Sequence, residues 1–270
     1  MKRIFSFLLT LIVVGSSYAQ GDTLTMPSIV STDTTAVATE PVTKAMADSA
    51  YTHERYAEAA VIYRQLTDSL GESAQLYFNL GNCYYRLDSI ARAILYYERA
   101  RLLDPSDDDI RLNLEMARAK TVDKVVPTSE MFFVAVYRSL VLSLSITEWA
   151  VLAIVSFILA LAALCVYLFV PSIAAKKVGF TIAVVALLLC IFSNVAAFQQ
   201  RSHIQHRTGA VVMTPSAVVK STPSASGTDL FILHEGTHVD IIDDSMREWV
   251  EIHMSDGKDG WLSRENIEVI

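Results

Sequence analysis

The apolar and polar positions of this chain follow three rhythms in succession. The most pronounced is a near absence of polarity. Trp149 to Val170 (WAVLAIVSFILALAALCVYLFV) is 22 residues without a charge, and Val178 to Phe198 (VGFTIAVVALLLCIFSNVAAF) is 21 with Asn194 as its one strongly polar member. About 20 apolar residues of helix cross the hydrocarbon core of a bilayer, so 149–170 and 178–198 are each expected to span one. Residues 171–177, from Pro171 to Lys177, suffice only for a turn, which makes the pair an antiparallel hairpin. The alternative, two core helices of a soluble protein, is disfavoured because uncharged runs of this length are rare there.

Before the hairpin the rhythm is helical. Counting from Ala74, Tyr77, Leu80, Gly81, Tyr84, Ala93, Tyr97, Ala100 and Pro105 fall at the fourth, seventh, eighth, eleventh, twentieth, twenty-fourth, twenty-seventh and thirty-second positions. This spacing resembles a tetratricopeptide repeat, a helix–turn–helix unit of about 34 residues. Small residues at Gly81 and Ala93 let two helices approach, Tyr84 and Tyr97 fill the space between them, and Pro105 stops the second helix. One repeat back, Ala47, Ala59 and Tyr63 underlie Gly81, Ala93 and Tyr97, so Glu54–Leu66 reads as the second helix of a more degenerate unit. One repeat forward, Asp108–Lys120 begins a third unit whose stripe of Ile110, Leu114 and Ala117 can cover the open end. Residues 44–124 are therefore expected to form an all-α domain of two repeats and a capping helix, near the minimum for a stable stack.

Between that domain and the hairpin, residues 131–145 put Phe132, Phe133, Val136, Tyr137, Leu140, Val141 and Leu144 on one helical face. Such an amphipathic helix suits a bilayer surface, or packing against the repeats. Ser145-Ile-Thr-Glu148 has the form of a capping box ahead of the first apolar run. Beyond the hairpin the period falls to two. Short β-branched or aromatic segments at 211–213, 218–220, 230–233, 239–242, 249–254, 260–262 and 267–270 are separated by turn residues, and Asp256-Gly257 is a hairpin signal. Val250, Ile252 and Met254 alternate with Trp249, Glu251 and His253 as in a half-buried strand. A small all-β barrel over 209–270 is expected.

Charge and cysteine content narrow the function. The net charge is −7, and residues 20–130 and 210–270 are both acidic, which argues against nucleic acid as a partner, since phosphates demand a basic face. Cys83 is the only cysteine outside the apolar runs, and no CxxC or Cys/His spacing suggests a metal or a disulfide framework. Residues 1–19 have the form of a signal peptide: Lys2-Arg3, an apolar run to Val14, then small residues up to Ala19. Residues 20–43 are rich in Thr, Ser, Val and Pro without a helical period, a disordered tether. An exported start places the repeats outside the inner membrane, Lys176-Lys177 in the cytoplasm as the positive-inside rule prefers, and the C-terminal part outside again. Both soluble domains are then periplasmic.

Catalytic signatures are not in evidence: there is no phosphate-binding glycine loop, no HExxH and no GxSxG. His203 and His206, and the run Asp107-Asp108-Asp109, read as interfacial polar residues and a helix start rather than metal ligands. Asn194 reads as an inter-helix hydrogen bonder. No cofactor is implied. The repeat resemblance implies a peptide-binding hollow face lined by Gln75, Phe78, Asn82, Tyr85 and Arg86, with Asn82 and Asn113 at the two asparagine positions of repeats that clamp a terminal carboxylate. Phe78 stands where those clamps use lysine. In the C-terminal domain Trp249 and Trp261 are the candidate ligand surface for a wall peptide or glycan, with at least one of them expected in the core.

The C-terminal segments G-T-x-V-x-I (236–241), W-V-x-I (249–252) and D-G-x-x-G-W-L (256–262) resemble the bacterial SH3-like domain. The order of modules, with signal and repeats, two-span hairpin and SH3-like tail, is similar to the Bacteroides aerotolerance operon family of the E type. The resemblance implies a membrane-anchored scaffold of the bacterial envelope, working with von Willebrand A proteins and a MoxR-type ATPase. Peptidoglycan binding through the tail is the alternative it leaves open.

Overall fold

The computed structural model describes residues 42–124 and 131–270. The expected signal peptide and nearly all of the tether lie outside the described residues. The described residues begin with five helices: α1 (Lys44–Thr52), α2 (Tyr56–Leu70), α3 (Ala74–Arg86), α4 (Ile90–Leu103) and α5 (Asp108–Ala119). The turns inside the two pairs are the same turn repeated. Glu54 and Asp88, one repeat apart, both take positive φ, 61° and 57°. The marker residues meet as their sizes require: Ala47, Ala59, Leu80, Ala93 and Ala100 are fully buried, and Tyr63 and Tyr97 nearly so. At Gly81 a side chain is impossible without movement, because a Cβ there would lie 2.5 Å from the Tyr97 ring. Asp107 caps α5 by accepting from the amides of Asp109 (2.8 Å) and Ile110 (3.2 Å).

Three further helices follow: α6 (Phe132–Val141), α7 (Ile146–Phe169) and α8 (Ile173–Gln205). The Ser145 capping box forms, with the Glu148 carboxylate accepting from the Ser145 amide at 2.8 Å. α7 and α8 are long and apolar enough to cross a membrane, and only 22% and 17% of their apolar windows are buried, so neither packs as a core helix here. They touch along small residues: Ala153, Ser156, Ala160 and Ala163 on α7, Ala186, Ser193 and Ala196 on α8. Backbones come close at Gly179, where a Cβ would stand 3.0 Å from the Ala163 carbonyl. The turn expected over 171–177 is shorter than its sequence implied. Ser172 already stands at the N-cap position of α8, and Ile173–Lys177 is helical. At the other end α8 runs seven residues past Phe198 into Gln199–Gln205. At about 1.5 Å per residue its 33 residues reach roughly 50 Å.

The C-terminal part is a seven-stranded antiparallel sheet: β1 (Gly209–Val212), β2 (Ser216–Lys220), β3 (Asp229–His234), β4 (His238–Asp243), β5 (Trp249–His253), β6 (Asp259–Ser263) and β7 (Ile267–Val269), in the order β3-β2-β6-β5-β4-β1-β7. Each lies within a few residues of its expected segment. Val250, Ile252 and Met254 point inward as their alternation requires, and Gly257 takes φ +89° in the β5–β6 turn. β1 is buried on both faces. Ala210 and Val212 join the sheet's own core, while Val211 and Ile270 join the core of the helical repeats.

The sheet therefore docks on α4 and the end of α5. Gly236, at φ +83° in the β3–β4 turn, presses so close that a Cβ would meet Thr121 Cγ2 at 2.7 Å and Ile94 Cδ1 at 3.0 Å. Three polar ties frame this contact. The Asp123 carboxylate accepts from the His234 amide, His234 Nδ1 and Thr237 Oγ1. Arg99 donates to Glu268 and to the Val269 carbonyl. Arg207, just past α8, forms a bidentate pair with Glu72, two residues before α3.

Candidate functional site

Helix α3 carries the residues that the repeat spacing singles out for the hollow face. Gln75 and Arg86 are exposed, and Phe78, Asn82 and Tyr85 are half-buried. The Phe78 ring lies 5.9 Å from that of Tyr97. Asn82 does not present its carbonyl oxygen to solvent. That atom accepts from Tyr97 OH at 2.7 Å and from Asn113 Nδ2 at 2.9 Å. The two asparagines of the sequence reading are thus brought together, but as partners of each other. What they still offer a ligand is the Asn82 amide nitrogen and the Asn113 carbonyl oxygen.

Two cation–aromatic pairs frame this centre. Arg86 donates to Tyr56 OH at 2.5 Å with its guanidinium 4.9 Å from that ring's centroid, and Tyr56 stands edge-on to Tyr51. The Lys120 ammonium sits 4.3 Å from the centroid of Tyr85 and pairs with Asp88 at 3.3 Å. Tyr51, Tyr56 and Lys120 were not among the residues singled out from the sequence. Stepping one repeat from Tyr85 to Tyr51 and from Arg86 to Lys120 finds two of them; Tyr56, which opens α2, has no such signal. The same step leads from Phe78 to Leu112 and from Asn82 to Met116, both on α5 and substantially exposed.

The electrostatics of the repeats are otherwise inward-looking. Glu98 is buried, and burial opposes its charge, yet Arg101, His238 and Arg118 outweigh that and hold its carboxyl below the ordinary range. The Cys83 thiol, buried in the repeat core, is pushed up to about 12 by desolvation.

Of the remaining candidates, Trp249 and Trp261 are both half-buried, and neither joins the sheet's core, contrary to the expectation that at least one would. They lie on adjacent strands, Trp249 opposite Ser263 and Trp261 opposite Glu251. The outward-facing positions of β5 and β6 took them because the inward ones were already filled by Val250, Ile252 and Leu262. The side chain of His203 lies outside the described residues, and among these no group of three or more acidic, histidine or cysteine side chains is disposed to hold a metal. Asn194 departs from the sequence reading: its amide donates to the Cys190 carbonyl of its own helix at 2.9 Å rather than across to α7. α6 is held by its C-terminal end, where Trp149 Nε1 and Gln200 Nε2 donate to the Val141 carbonyl and Tyr137 OH donates to Gln199. Its other end leaves Phe132 and Phe133 largely exposed.

A family model described as a tetratricopeptide repeat matches residues 44–108, which takes in α1 to α4. No curated protein matches the chain.

Proposed function

We propose that this chain is a non-enzymatic, membrane-anchored adaptor that holds a protein partner on the hollow face of its repeats. The observation that carries the reading is the row of Phe78, Tyr85 and Arg86, extended by Tyr51 and Tyr56, which stays accessible while the sheet covers α4. Aromatic rings beside a guanidinium and free amide groups suit an extended peptide, whose backbone the amides engage and whose acidic groups the cations engage.

In this reading α7 and α8 cross the bacterial inner membrane, and a hairpin returns the chain to the side it left. Docking of the sheet on the repeats fits both soluble parts being on one side, the periplasm if the N-terminal segment is a signal peptide. α6, with Phe132 and Phe133 outward beside the hairpin's end, lies in the bilayer surface. The C-terminal sheet is an SH3-like domain. By resemblance to the aerotolerance operon family, the partners are von Willebrand A proteins and a MoxR-type ATPase of the envelope. Affinity purification of the full-length protein from crosslinked cells, with mass spectrometry, tests this. Those proteins are expected with wild type and are expected to be lost with Tyr85→Ala/Arg86→Glu. Retention by the variant overturns the hollow-face reading.

A second reading has one observation in its favour: Trp249 and Trp261 both keep outward-facing surface on the sheet. It makes the C-terminal domain a peptidoglycan binder and the repeats a spacer. Retention on purified sacculi that disappears with Trp261→Ala supports it.

A further inference from the structure

Away from the hollow face, the junction of repeats and sheet contains a cleft of about 310 Å³ lined by Arg64, Tyr84, Arg92, Leu95, Tyr96 and Glu268. Its floor is a stacked tyrosine pair, Tyr84 and Tyr96, with centroids 5.3 Å apart and planes 5° from parallel. Two guanidinium groups frame the same ring: Arg64 donates to Tyr84 OH, and Arg92 stands 5.6 Å from its centroid. Both arginines are exposed. Among the described residues neither faces a carboxylate within ion-pair distance, although the repeat region as a whole is acidic. Glu268, the one acid in the cleft, is engaged by Arg99 at 3.1 Å. Most other arginines of the repeats have found an acid: Arg55 with Glu58, Arg101 and Arg118 with Glu98, Arg111 with Asp108.

We propose that this cleft is a second protein-binding site, taking an acidic segment of a partner whose Asp or Glu carboxylates bridge Arg64 and Arg92 over the Tyr84–Tyr96 pair. The Tyr84 hydroxyl holds the Arg64 guanidinium and the Tyr84 ring holds that of Arg92, so little side-chain entropy is lost when a carboxylate arrives, and guanidinium donors are suited to bidentate contacts. The sheet supplies one wall through Glu268, so the site lies at the junction of the two soluble parts. It is separate from the hollow face of α3, so a partner can be held there at the same time.

The test uses the full-length protein in detergent and a fluorescein-labelled hexaglutamate peptide, read by fluorescence anisotropy at low salt. Wild type is expected to bind it, and Arg64→Gln/Arg92→Gln to weaken binding by about tenfold or more. Arg64→Lys/Arg92→Lys is expected to keep part of the affinity, and Arg111→Gln, at an exposed pair that belongs to neither face, to leave it unchanged. Loss with Arg86→Gln but not with Arg64→Gln/Arg92→Gln places acidic peptides on the hollow face and overturns this proposal while sparing the adaptor reading. Binding of hexalysine equal to hexaglutamate, no binding to wild type, or displacement by inorganic phosphate at submillimolar concentration also overturns it.

Discussion

The carboxylate of Asp123 takes two hydrogen bonds from His234, one from its backbone N–H at 2.7 Å and one from ring Nδ1 at 2.8 Å. A third comes from Thr237, so one side chain just after α5 closes the β3–β4 turn of a sheet more than a hundred residues away. Asp123→Ala is expected to cost about 1–3 kcal/mol, the penalty for donors left without an acceptor. Hydrogen exchange should rise at 234–237 while α2 and α3 keep their protection. Unchanged exchange in that turn would show that apolar docking at Gly236 and Val211 suffices.

The same contact sets a pH dependence. Burial disfavours the charged form of Asp123, but hydrogen bonds from the His234 amide and ring and from Thr237 win, and its carboxyl is held below its ordinary 3.8. A lowered carboxyl contributes stability above its unfolded value and loses it as the pH falls through the folded one. Docking is therefore expected to be full above about pH 4 and to weaken below it, with Glu98 and Glu72 lowered in the same direction. Thermal midpoints of wild type and Asp123→Asn measured between pH 3 and 6 should converge at the acid end.

Gly81 and Tyr97 hold the second repeat together, since no Cβ fits between that backbone and that ring. Gly81→Ala is expected to destabilise the repeats by about 1–3 kcal/mol through overpacking, despite the higher helix propensity of alanine. Chemical denaturation read by tyrosine fluorescence measures it; a stabilised variant would mean the ring can swing away cheaply.

Cys83 offers a reporter of folding. Its thiol is buried and raised to about 12, so at neutral pH it is neither ionised nor reachable. In a Cys165→Ala/Cys190→Ala background, maleimide labelling should be negligible in the native protein and complete in denaturant. Rapid native labelling would mean that the repeats open frequently.

How much of this was legible in the sequence differs by module. The strands, the repeat helices and the capping box at Ser145 follow from local periodicity and cap chemistry, which depend on neighbours a few residues apart. The turn at 171–177 was overestimated because Pro171 marks where α7 must end, but nothing local stops Ile173–Lys177 from being helical. The docking of sheet on repeats left no periodic signal: Asp123 meets His234, and Arg99 meets Glu268, at separations above a hundred residues. Its one trace was β1, where Ala210, Val211 and Val212 are apolar in succession because each face meets a different core. The hollow face was half legible. Repeat numbering found Asn82 and Asn113, but only the structure brings Tyr97 in to occupy the Asn82 carbonyl.

The adaptor reading is tested most directly by site-specific photo-crosslinking in living cells, with a benzophenone amino acid at Phe78 in one strain and at Trp261 in another. Discrete protein adducts are expected from Phe78, lost with Arg86→Glu, and no peptidoglycan adduct from Trp261. Peptidoglycan captured at Trp261 with nothing captured at Phe78 contradicts the adaptor reading, and makes the sheet rather than the repeats the binding end of the molecule.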